Sequence, residues 1–255
     1  MIDFTTSKYT KLLDALIDNK YSFQTFSEYL INPKSKVVIL RHDVDLLPVN
    51  SLEFARIQKS RGVKGVYYFR NTNGSWDESI VKEISLLGHE IGYHYETMDT
   101  CNGNIDKAYE EFKSILKKFR EIVSIKTICM HGSPRSPFDN RAIWGKYDFK
   151  QLDLIGEPYF DLDFDKVFYA TDTGRMWNGS KYSVRDKVNS NINFPTFNST
   201  DEMIMSLREG DFPSVVMLNF HPQRWTHNML FWSKEYISQK IKNLIKRTLF
   251  VKSKM

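Results

Sequence analysis

The segment "RHDVD" (residues 41–45) places four ionisable side chains directly after the β-branched run "VVIL". If a strand continues through it, Asp43 and Asp45 project from one face. Two close carboxylates do not both stay charged at low cost without a cation beside them. A divalent ion resolves this: one carboxylate ligates it, and the other stands near the attacking water as a general base. The ion brings the water's pKa towards about 7 and polarises the carbonyl under attack. Asp and His ligands together suit zinc, or another late first-row ion, better than magnesium. The structural alternative is an Asp pair that caps the next helix or pairs with Arg41.

Other apolar runs end in the same way. "VYYF" is followed by Arg70 and Asn71, and "HEIGY" by His94 and Glu96. "KTICM" is followed by His131, "VFYAT" by Asp172 and Arg175, and "VVMLNF" by His221 and Arg224. Four of the six histidines (His42, His94, His131 and His221) thus stand just after an apolar run, where a catalytic rim would lie. His94 is the leading histidine ligand. His89 opens the same run five residues earlier, so its side chain falls on the opposite face and reads as structural. His221 is placed to protonate a leaving amine or alcohol near neutral pH.

These residues need elements to hold them. Helical periodicity covers "TTSKYTKLLDALIDN", "VNSLEFARIQKSR", "WDESIVKEISLLG", "IDKAYEEFKSILKKFREI", "TDEMIMSLREG" and "SKEYISQKIKNLIKR". Short β-type runs cover "KVVIL", "VKGVYYFR", "HEIGYH", "IKTICM", "KVFYAT" and "PSVVMLNF". Pro48 near the start of one helix and Gly62 past its end follow the usual asymmetry. Residues 132–165 and 172–200 read as long irregular loops. Strands alternating with helices predict a mostly parallel sheet whose carboxyl rim carries the site.

The 255 residues suit one α/β domain, 1–255, with 41% hydrophobic and 26% charged residues. Of the net charge of +5, six Lys or Arg and no acid fall from Lys240 to the end. The basic C-terminal helix and tail, about 233–255, allow weak contact with an anionic membrane surface. No basic recognition helix or zinc-finger spacing points to nucleic acid. Cys101 and Cys129 form no disulfide framework and suit a reducing compartment. The N-terminus lacks a signal-peptide pattern, and no run approaches the roughly 18 apolar residues of a membrane span. A cytoplasmic location is expected.

The ordered set "RHDVD", "GHEIGYHYE", "HGSP", "TDTGRMW" and "LNFHPQRW" resembles the successive motifs of NodB-like polysaccharide deacetylases, carbohydrate esterase family four. It is most similar to a divergent branch associated with bacterial surface-polysaccharide (O-antigen or capsule) synthesis. The resemblance spans about residues 37–227. It implies an α/β fold of the distorted (β/α)7 barrel type and one divalent metal, commonly zinc. It implies Asp43 as catalytic base, Asp45 as metal ligand, His94 as first metal histidine and His221 as catalytic acid. Asp172 falls where the family has a tuning Asp, and Trp177 where it has a substrate-facing Trp. Trp225 is a candidate for stacking on a sugar ring. The family's second metal histidine stands four residues after the first, and here that position is Met98. His131 is the first replacement for it and Glu96 the second. Glu96, Asp172, Arg175, Trp177, Arg224 and Trp225 make up the expected substrate-contacting set.

The expected activity is removal of an acyl group, N-acetyl first, from a sugar in surface-polysaccharide synthesis. Two rivals remain: hydrolysis of another C–N bond, formamide or ureide, on the same fold, and a catalytically degenerate carbohydrate-binding relative. A barrel mouth without sugar-stacking aromatics favours the first rival, and absence of a three-ligand cluster favours the second.

Overall fold

The computed structural model describes residues 2–133, 136–177 and 188–246. Helix α1 (Thr6–Asp18) leads, capped by the Thr5 hydroxyl, which accepts the Lys8 amide. Strand β1 (Ser22–Phe23) and helix α2 (Phe26–Ile31) follow, α2 starting from a Thr25/Glu28 capping box. Alternation then sets in with β2 (Val37–Val44), α3 (Pro48–Ser60), β3 (Val66–Phe69), α4 (Glu78–Leu86) and β4 (Glu90–Tyr95). The short α5 (Thr97–Thr100) precedes α6 (Ile105–Arg120) and β5 (Ile125–Met130). Two 3-10 turns, Asn140–Gly145 and Phe149–Leu152, lead to α7 (Pro158–Asp161) and β6 (Phe168–Thr171). The described chain closes with α8 (Thr200–Glu209), β7 (Val215–Phe220), a 3-10 turn Pro222–Arg224 and α9 (Met229–Lys246). Every strand and helix read from periodicity is present in order. The additions β1, α2, α5 and α7 have two to six residues, too few to show a period.

All seven strands pair in parallel, in the order β5-β4-β3-β2-β7-β6 with β1 on β2. Strand β2 runs past Leu40 through Arg41, His42, Asp43 and Val44, all buried. Alternation makes this tolerable. Arg41 and Asp43 share one face and neutralise each other there, while His42 lies on the other.

The two faces bury separate clusters. Val38, Leu40, Tyr67, Phe69, Tyr93, Ile128 and Leu218 join the main core with residues of α1, α3, α4, α6 and α8. Ile39, Val66, Tyr68, Cys129 and Met217 form a second cluster, into which Phe26 of α2 also packs. The face of this second cluster is concave. In a flat sheet, β2 and β5 would lie roughly 14 Å apart, three spacings of about 4.8 Å. Asp45 Oδ1, just past β2, is nevertheless 3.7 Å from His131 Nε2, just past β5. Asp45 Oδ2 is 3.9 Å from His221 Nε2, just past β7. The sheet therefore curls into an incomplete barrel with β5 and β6 as its ends, and the bridge Thr127–Gly156 attaches the 131–167 segment at β5. Gly92 permits the inner packing: a Cβ there would stand 2.3 Å from the Tyr68 ring, whose hydroxyl meets Thr127 Oγ1 at 3.1 Å.

Candidate metal centre

Three imidazoles point their Nε2 atoms at the Asp45 carboxylate from three strand ends. His94 Nε2 is 3.8 Å and His131 Nε2 3.7 Å from Oδ1, and His221 Nε2 is 3.9 Å from Oδ2. Each ring is held through Nδ1: His94 by the Cys129 carbonyl at 2.9 Å, His131 against Glu96 Oε2 at 2.9 Å, and His221 by Asp172 Oδ1 at 2.6 Å. For His94 the carbonyl acceptor at Nδ1 fixes the tautomer that leaves the Nε2 lone pair free, the usual preparation of a metal-ligating histidine, whereas His131 Nδ1 has Glu96 beside it as an ion-pair contact without hydrogen-bond geometry.

The donor set fits a late first-row ion. Ligand atoms sharing a tetrahedral ion at 2.0–2.2 Å lie roughly 3.4 Å apart; His94 Nε2 and His131 Nε2 each stand within 3.8 Å of Asp45 Oδ1, with their ring centres 5.3 Å apart. Asp45 Oδ1 is buried and has no hydrogen-bond partner. That is a costly state for a carboxylate oxygen unless a cation meets it. Burial alone would raise the Asp45 carboxyl, but His131, His221 and His94 outweigh it and hold its pKa below the ordinary value. Burial brings His94 down to about 4, favouring the neutral ring. Burial also pulls on His131, but Glu96 and Asp45 outweigh it and raise this imidazole.

Other acidic and sulfur groupings are less suited. Ligand atoms of Asp43, His94 and Cys129 gather within 4.8 Å, as do those of Glu96, Asp99 and His131. In the first, Asp43 is clasped by Arg41 Nε at 2.9 Å and Nη2 at 2.7 Å, with Asn219 Nδ2 at 3.0 Å. In the second, Arg70 holds Glu96 at 3.1 and 2.7 Å, and Asp99 accepts from Ser136 and Asn140. Glu96 thus supports His131; burial would raise its carboxyl, but His131 and Arg70 bring it to about 2.

Asp43 faces the same cleft, with Oδ2 3.9 Å from His94 Nε2. Burial would raise its carboxyl, yet the Arg41 guanidinium and then His94 hold it far below the carboxylate range. The alternative pairing of Asp43 with Arg41 is therefore real. The helix-capping alternative is not: α3 has no side-chain cap, and its N-cap residue is Leu47.

Asp172 is fully buried behind His221 and does not line the cleft. It accepts from the His221 amide at 2.9 Å, His221 Nδ1 at 2.6 Å, Arg224 Nη1 at 2.9 Å and Trp225 Nε1 at 2.6 Å. Burial raises this carboxyl, and His221 and Arg224 more than reverse that.

Several substrate-contact expectations need correction. Trp177 and Trp225 are 5% and 1% exposed, packed edge-on or tilted against Phe220 and each other, with no open face for a sugar. Trp177 Nε1 donates to Thr200 Oγ1, as a buried indole requires. Arg175 is buried with its guanidinium over Phe4, Trp232 and Tyr236, and Arg224 is spent on Asp172. His42 leaves the rim: its ring stacks on Tyr67 at 4.0 Å, Nδ1 meets the Val66 carbonyl, and burial lowers it to about 3. His89 is structural as expected, bonded to the Gly65 amide and the Ala55 carbonyl. Met98 is buried in the main core and does not reach the site. Sequence reasoning missed Asn219 and Gln223, the latter 3.4 Å from Asp45 Oδ2; neutral amides after a strand carry no signal of their own.

No protein-family model matches this chain, and no curated protein matches it. Among solved structures, it is similar to a family 4 carbohydrate esterase from Bacillus anthracis, at 14% identity and TM-score 0.42, over 90% of this chain and 85% of that one. It is similar to Bacillus subtilis PdaA, a family 4 carbohydrate esterase, at 15% identity and TM-score 0.40, over 91% and 84%. A third is the Xyl-CE4 domain of a multidomain xylanase from the Trinervitermes trinervoides hindgut metagenome, at 13% identity and TM-score 0.38, over 87% and 85%.

Proposed function

We propose that the protein is a metal-dependent hydrolase that removes an acyl group, N-acetyl first, from a sugar in bacterial surface-polysaccharide synthesis. The observation that carries this reading is the convergence of His94 and His131 Nε2 on the buried, unpartnered Asp45 Oδ1. Asp45, His94 and His131 would hold the ion, zinc or a similar late first-row cation. When bound, the ion supplies a Lewis acid that acidifies water and polarises the acyl carbonyl. Asp43 is the base, accepting the proton of the attacking water, and Arg41 and Asn219 fix its orientation. His221 is the acid: its protonated ring, with Nδ1–H on Asp172, gives the Nε2 proton to the departing nitrogen or oxygen, and Asp172 orients the ring and stabilises its charge.

A second reading, hydrolysis of a smaller formamide or ureide C–N bond, is favoured by the burial of both candidate stacking tryptophans. Metal analysis of purified protein, with acetate, formate and ammonia release from N-acetyl-sugar, formamido-sugar and ureide panels, separates these readings. One equivalent of metal is expected in the parent chain and less than a tenth in Asp45→Asn. Asp43→Asn should keep the metal and lose rate by about 10²–10⁴-fold. A metal-free parent chain without hydrolysis of any panel member would leave only the degenerate binding relative.

A further inference from the structure

Helix α9 presents its faces the wrong way round for a helix at the edge of a core. Trp232, Gln239 and Asn243, spaced i, i+7 and i+11, lie on the protein side. Trp232 Nε1 donates to the Asp3 carbonyl at 2.7 Å, Asn243 Nδ2 to the Gly174 carbonyl at 2.8 Å, and Gln239 Nε2 to Asn243 Oδ1 at 2.8 Å. The Arg175 guanidinium sits 4.8 Å from the Trp232 ring centre and adds to this attachment. Leu230, Ile237 and Ile241 repeat the same spacing on the opposite side and are 76%, 59% and 55% exposed. Phe231 extends the apolar surface towards the exposed Leu47 and Val49, across a groove of about 450 Å³. Gln223, which reaches Asp45, lines that groove.

The charge around this stripe identifies its occupant. Lys234, Lys240 and Lys242 are exposed and flank the stripe on the helix. From Lys240 to the end the sequence has six Lys or Arg and no acid. A second copy meeting the first through this stripe would bring two such basic runs together, at a Coulombic cost. No described helix is long and apolar enough to cross a membrane. An apolar stripe edged by lysines and ending in a basic run is the pattern of a helix lying in a bilayer interface.

We propose that α9, with Leu47 and Val49 beside it, is the face by which this protein sits on an anionic lipid bilayer. The groove shared with Gln223 places the mouth of the metal centre at that surface. The binding itself does not depend on the hydrolase reading, because neither the stripe nor its lysines belong to the centre.

The test is co-sedimentation of the full chain with phosphatidylcholine vesicles, with and without phosphatidylglycerol, at low and high salt, beside mass measurement in solution. Binding is expected only with phosphatidylglycerol, falling more than about 10-fold at high salt. Ile237→Ser with Ile241→Ser should reduce it at least as much, and so should Lys240→Glu with Lys242→Glu, an exposed pair whose change spares the fold. A thermal melt confirms folding of each variant. No binding to either vesicle overturns the proposal, as does binding that both double variants leave intact. A lipid-free dimer that the serine variant dissociates also overturns it, and assigns the stripe to a second copy.

Discussion

At the scale of single residues, the site separates into atoms that are spoken for and atoms that are not. Asp43 and Glu96 are clamped by arginines, and Asp172 receives four donors. Asp45 Oδ1 has none. Two tests follow from this division. Glu96 sets the His131 ring without being a ligand, so Glu96→Gln should weaken metal affinity about 10–100-fold and leave stoichiometry at saturation unchanged. Chelator competition measures this; loss of all binding would instead make Glu96 a direct ligand. Asp172→Asn removes the negative charge that holds and stabilises the protonated His221 ring, and turnover should fall about 10²–10⁴-fold with metal content intact. Unchanged turnover would remove His221 from the acid role.

At the scale of elements, β4 must let β3 and β5 pack across it on the concave side. Gly92 does so because Tyr68 and Thr127 occupy the space of any side chain. Gly92→Ala should destabilise the fold by roughly 1–3 kcal/mol, as overpacking of a core does. Urea unfolding monitored by tryptophan fluorescence reads this directly; a neutral result would show that Tyr68 moves aside freely. The lack of periodicity over residues 132–165 hid α7 and Glu157, whose carboxylate accepts the Met130 amide at 3.0 Å and the Tyr159 amide. This contact ties α7 to the end of β5.

At the scale of the whole molecule, Glu157 makes stability depend on pH. Its carboxyl is fully buried, and burial raises its pKa to about 7 despite the two amides. The folded state therefore prefers the protonated form, while the unfolded chain ionises near the ordinary value of about 4.3. The folded state keeps its full advantage below that value and loses it as pH rises to about 7, a loss on the order of 4 kcal/mol that is constant above. Glu157→Gln has no proton to lose, so this segment of the stability profile should flatten. Urea midpoints of both chains at pH 5 and pH 8 decide the matter. Parallel profiles would mean that the carboxylate is ionised in the fold.

The alternation of apolar runs with helical periods determined the parallel sheet, because period 2 and period 3.6 are local properties of the chain. The same locality exposed Asp43, Asp45, His94, His131 and His221, since polar groups directly after buried strands must stand at one rim. What sequence could not decide was the side to which each one turns and what it meets there. His42 sits between Arg41 and Asp43, yet turns to Tyr67 in the outer core. Trp177 and Trp225 look like sugar platforms in the sequence, but the packing of Phe220 between sheet and helices consumes them. His131 meets Asp45 only because the sheet curls, and curvature is set by residues such as Gly92 and Tyr68 acting across strands. A contact between chain positions 45 and 131 depends on every strand between them, and so belongs to the tertiary structure alone.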